Sequence, residues 1–84
     1  MRDIDGKYQT TGDIQKKDGT PIPMDEPLFL FRGKDKLLPR VLEQYKELSR
    51  NAGSPQQQLD LLDQRIAEVK KWQTENPDKV KIPD

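Results

Sequence analysis

The chain contains no cysteine and no histidine. Disulfide staples, imidazole bases, thiol nucleophiles and the common zinc sites are therefore excluded. Aromatic residues are scarce at 6%, with a single tryptophan. No apolar run approaches the ~18 residues of a membrane span. The opening stretch MRDIDGKYQTTG lacks the apolar segment of a secretory leader, so a cytoplasmic protein is expected. Gly-rich phosphate loops are missing as well, because Gly12 and Gly19 stand in no P-loop or dinucleotide pattern. The formal net charge is zero, so the chain as a whole lacks the polycation character suited to nucleic acid.

What is present is polar: 31% apolar against 36% charged residues. The apolar residues concentrate between Leu28 and Trp72, which argues for a small folded core with polar ends. A length of 84 residues implies one domain spanning 1–84, with residues 1–6 and 78–84 expected to be loose. A chain this short buries only about 60–65% of its unfolded surface. With disulfides and zinc excluded, a partner subunit is the remaining common support, and a homo-oligomer is expected.

Residues 7–14 read as a weak strand, since Tyr8, Thr10, Thr11 and Ile14 favour extended structure and Gly12 hints at a bulge or turn. Asp18-Gly19 marks a turn, and Pro21 and Pro23 keep the following arm extended. Residues 28–32 read as a second strand. Leu28 and Leu30 face one side, Phe29 and Phe31 the other, so both sides require cover. Phe29, Phe31 and Trp72 are accordingly the expected interface with another copy.

Gly33 ends that strand, and Asp35 is placed to cap a helix beginning at Lys36, with Pro39 in its first turn. Leu38, Val41, Tyr45 and Leu48 recur at helical spacing, widened by Leu37 and Leu42, and Gly53 suits the residue just past the end. A second helix opens at Ser54-Pro55-Gln56-Gln57, a capping-box pattern. Its seam is Leu59, Leu62, Ile66 and Val69, with Leu61 and Trp72 beside it, and it ends near Asn76 before Pro77. The short connection makes the helices antiparallel neighbours. The fold class is therefore α+β: a short N-terminal β-hairpin or arm followed by an antiparallel two-helix hairpin.

Catalysis is disfavoured. Ser49 and Ser54 lie at helix ends, the acids are spaced as solvated helix faces, and neither a metal site nor a cofactor is expected. Residues 27–53 are the only net-positive third, with six basic and three acidic groups. Within it Arg32, Lys34, Lys36 and Arg40 gather around a helix start, where free N–H groups favour an anion. Arg32 is best suited to a bidentate contact. Antiparallel packing brings Trp72 and Gln73 to the same end, as a stacking face and an amide for a ligand. The competing reading is a solvated surface with Arg32 paired to Asp35 or Glu26. Nucleic acid is a weaker candidate, because acids interleave the basic residues along both helices.

Two stretches carry a resemblance. Glu26-Pro27-Leu28-Phe29-Leu30-Phe31-Arg32-Gly33-Lys34-Asp35, with Pro23 ahead of it, resembles an EPxFxLRxxD stretch, and Phe31 stands where leucine is expected. Trp72-Gln73, followed by Lys81-Ile82-Pro83-Asp84, resembles a WQ…KxPD ending. Both are similar to small uncharacterised proteins of bacteria and tailed phages. That likeness implies a phage or prophage source, and for a phage protein the host cytoplasm. It supplies no active residues. The expected function is non-catalytic binding, either sequestering a nucleotide-like anion or inhibiting a host protein. The alternatives are a purely structural homo-oligomeric interaction module and a nucleic-acid accessory protein.

Overall fold

The computed structural model describes residues 1–83. Asp84, the last residue of the tail expected to be loose, lies outside the described residues. The chain divides into two compact units, Met1–Leu30 and a second beginning at Phe31.

The first unit is built on a two-stranded antiparallel hairpin. Strand β1 (Arg2–Ile4) pairs with β2 (Tyr8–Thr10) in the register Arg2↔Thr10, Asp3↔Gln9, Ile4↔Tyr8. The turn is Asp5-Gly6, with φ of 53° and 79°, closed by the Lys7 amide donating to the Ile4 carbonyl at 3.3 Å. Two successive positive φ values twist the chain as a tight hairpin requires, and Asp-Gly accepts them at least cost. Residues 1–6, expected to be loose, thus supply a strand, and Arg2 and Ile4 are buried.

Arg2 is the organising side chain of this unit. Its guanidinium donates to the Pro23 carbonyl at 2.9 Å, the Glu26 carbonyl at 2.7 Å and the Ile22 carbonyl at 3.5 Å. It thereby holds the proline-rich arm against β1. Asp18-Gly19 forms the expected turn, with Gly19 at φ 92°, a Gln15↔Pro21 bridge beside it, and the Ile22 amide donating to Ile14 at 2.9 Å. The Asp18 carboxyl is held below its ordinary range by the Thr20 hydroxyl first and the Thr20 amide second.

The strand expected at residues 28–32 is not formed. β2 already pairs with β1, and the Leu30 amide donates to the Asp5 carboxylate at 2.8 Å instead of to a ladder. Phe29 and Phe31 are exposed.

The second unit is a helix hairpin, α1 (Leu38–Asn51) against α2 (Gln56–Glu75). Lys46–Asp63 at 2.5 Å and Lys70–Glu43 at 2.7 Å cross between them and fix the antiparallel pairing. Gly53, at φ 88°, ends α1 as expected. The Gly53 amide donates to Arg50 at 3.1 Å and the Ser54 amide to Ser49 at 2.9 Å, so the last carbonyls are satisfied in a Schellman pattern.

That pattern explains a correction at the start of α2. Ser54 closes α1, and the extended Pro55 (ψ 154°) takes the cap position without a side-chain bond, so the capping box does not form. α1 likewise begins later than expected, at Leu38. The Asp35 carboxylate accepts the Leu37 amide at 2.8 Å in a turn just before the helix.

The hairpin buries Leu38, Ser49, Leu59, Leu62 and Ile66. The expected seam of α2 is therefore correct. On α1 the inward face is rotated. Tyr45 and Leu48, expected on the seam, are 53% and 67% exposed, and Ser49 turns inward in their place. The short connection keeps the two axes close at that end, which favours a small inward residue.

Candidate functional site

After α2 the chain turns at Asn76, with the Lys79 amide donating to the Asn76 carbonyl at 3.0 Å and the Asn76 side chain to Trp72 O at 2.9 Å. It then runs back alongside the segment before α1. The Lys81 amide donates to the Lys34 carbonyl at 3.0 Å, and the Lys36 amide to the Lys81 carbonyl at 2.8 Å, a parallel bridge centred on Asp35 and Lys81. Val80 is half-buried in this return. The segment expected to be loose is thus tied by backbone bonds.

The return creates an open cleft of about 500 Å³, lined by Arg32, Gly33, Lys34, Trp72, Asp78, Lys79 and Lys81. Four cations and one carboxylate surround it. Among the described residues, none of the four cations has a carboxylate partner. Trp72 is 38% exposed, with the Gly33 backbone passing over one edge of the ring: a side-chain carbon at Gly33 would lie 3.9 Å from Trp72 Cε3.

The cleft's wall is held by Gln73. Its amide donates to the Gly33 carbonyl at 2.9 Å and the Asp35 carbonyl at 2.8 Å. This pair of bonds anchors the loop that carries Arg32 and Lys34 onto α2. Gln73 therefore positions the cleft and spends both amide donors on backbone, where the sequence pointed to a ligand contact.

Of the residues expected at the site, Arg32, Lys34 and Trp72 come together. Lys36 and Arg40 do not line this cleft. Arg40 lies in a separate shallow groove of about 440 Å³ with Glu43, Gln44, Glu47 and Leu48. At the helix start itself the Asp35 carboxylate already accepts the Leu37 amide. Asp78, Lys79 and Lys81 were not singled out from the sequence. The signal for the last two is Lys79-Val80-Lys81-Ile82, whose alternation suits a short extended pairing segment.

Among the described residues no group of three or more carboxylates is placed to hold a metal ion. No helix among them is long and apolar enough to cross a membrane. No family model, curated protein or solved structure matches the chain.

Proposed function

We propose that this chain is a non-catalytic binding protein whose cleft beside Trp72 receives an anionic small molecule carrying a flat ring, of the nucleotide type. The observation that carries this reading is the convergence of Arg32, Lys34, Lys79 and Lys81 on one cleft beside a half-exposed tryptophan. Arg32 offers a planar fork to phosphate or carboxylate, and the lysines add compact charges around it. The Trp72 ring offers a stacking face, worth about 1–3 kcal/mol for a nucleobase. A volume of about 500 Å³ falls within the range of small-molecule pockets. The resemblance to small phage proteins supplies a setting: removal of a nucleotide-like compound from the host cytoplasm, with inhibition of a host protein as the alternative use of the same charged surface.

Calorimetric titration of mono-, di- and cyclic nucleotides at low and physiological salt tests the reading. Inorganic phosphate and an uncharged nucleoside, titrated separately, divide the charge and ring contributions. Saturable binding is expected, weakened about tenfold or more by Arg32→Ala and only partly restored by Arg32→Lys. If no nucleotide binds at physiological salt, the reading fails. The cations are then ordinary solvated surface or a contact for a protein.

A further inference from the structure

The helix hairpin has two unlike sides. Lys46–Asp63 and Lys70–Glu43 lace one of them. At about 100° per residue, Tyr45 and Leu48 on α1 and Leu61 and Trp72 on α2 fall on the opposite side. All four are more than a third exposed, Leu61 by 50%. Two helices form a single layer, and a layer with a second apolar face is normally closed by another.

The outer stripe of α2 indicates what closes it. Leu61, Arg65, Glu68 and Trp72 follow one another at spacings of four, three and four residues, so they share one edge of the helix. Arg65 and Glu68 are paired at 2.7 Å and both well exposed. The stripe is symmetric about the point between Ile66 and Ala67. An identical helix laid antiparallel about that point sets Leu61 opposite Trp72 of the second copy and Arg65 opposite Glu68 of the second copy. Apolar ends meet apolar ends, and unlike charges meet at the centre.

We propose that this face is the contact between two copies of the chain, joined by a two-fold axis crossing α2 near Ile66 and Ala67 into a four-helix arrangement. An isologous contact requires just this self-complementarity. The zero net charge removes the long-range repulsion that would oppose two copies meeting. Two helices about 10 Å wide, one about 21 Å and the other about 30 Å long, present roughly 500 Å² in projection, close to but just under the ~600 Å² per partner at which stable interfaces begin. This inference does not rest on the anion cleft. It moves the contact from Phe29 and Phe31 to the helices and keeps Trp72 at its margin.

Sedimentation equilibrium of the full chain, together with thiol crosslinking, tests it. A mass of twice 9.8 kDa is expected at micromolar concentration. Arg65→Glu alone places like charges at the centre twice and is expected to weaken association by about tenfold or more. Adding Glu68→Arg restores it. Because the chain has no cysteine, Q58C and E75C carry unique thiols. Mixed together they are expected to crosslink with a short bifunctional reagent. Neither should crosslink alone, since like positions would lie about 25 Å apart. The crosslinking arm leaves Leu61, Arg65, Glu68 and Trp72 intact, so it stands even if a charge swap lowers helicity. A 9.8 kDa species at every concentration overturns the proposal. So does a dimer that ignores the charge swaps, or one in which single-thiol variants crosslink as well as the mixture.

Discussion

Replacing Gln73 tests whether its amide holds the cleft. In Gln73→Ala two hydrogen bonds, to Gly33 O and Asp35 O, are lost. At about 0.5–1.5 kcal/mol each the expected cost is about 1–3 kcal/mol, with the lower part of the range applying if water reaches both carbonyls. Gln73→Glu is nearly isosteric but removes both donors and points a carboxylate at two carbonyl oxygens. It is expected to cost more than Gln73→Ala at pH 7. The introduced acid should titrate above the ordinary glutamate value of about 4.3, because its charged form is disfavoured in the fold. The part of the penalty due to the charge is then absent below the unfolded-state value, grows as pH rises through it, and levels off above the folded-state value, while the loss of one of the two donors persists at every pH. Urea unfolding followed by tryptophan fluorescence is the assay, because Trp72 is the only tryptophan and lies against this loop. The argument is refuted if Gln73→Ala falls within about 0.5 kcal/mol of the parent, the size of an ordinary surface change. It is equally refuted if Gln73→Glu is no worse than Gln73→Ala at pH 7.

Leu62→Ala and Ile66→Ala should each cost about 2–5 kcal/mol by chemical denaturation, because both are buried mid-seam, whereas Gln64→Ala on the exposed side should be close to neutral. Arg2→Ala should release the proline-rich arm, seen as faster hydrogen exchange at the Ile22 amide. Two good bonds from a charged donor, at about 1.5–3 kcal/mol each, put the loss at several kcal/mol, and unchanged exchange would show that the arm is held otherwise.

The helices were legible because the 3.6-residue spacing of Leu59, Leu62, Ile66 and Val69 has no competing interpretation, and Gly53 marks the break. Gln73 continues that same spacing and so sits on the inward edge. Periodicity therefore places Gln73 inward, but not the backbone carbonyls of Gly33 and Asp35 that it meets there, and from sequence alone its amide reads as a ligand contact. The hairpin is legible in kind but not in place, because Asp5-Gly6 and Asp18-Gly19 carry the same turn signal and only the first joins two paired strands. The run at 28–32 has a strand's alternation, yet a strand is defined by its partner, and the sequence does not show that Asp5 takes the Leu30 amide. Arg32, Lys34 and Trp72 could be gathered from charge and helix length. Lys79 and Lys81 could not: the Lys79–Ile82 alternation suggests an extended segment, but which stretch it pairs with is set by a long-range backbone bridge that no local preference records.

The bridge between Lys34, Lys36 and Lys81 has a thermodynamic consequence. It closes a long loop with two backbone bonds of about 0.5–1.5 kcal/mol each, so on those bonds alone a form with this segment detached should be populated at between roughly 0.5 and 15 per cent. Detachment carries two of the cleft's four cations away while α1 and α2 stay packed. Any anion that needs all four therefore binds the closed form preferentially, and by linkage it fastens the segment to the same extent that the segment strengthens its hold.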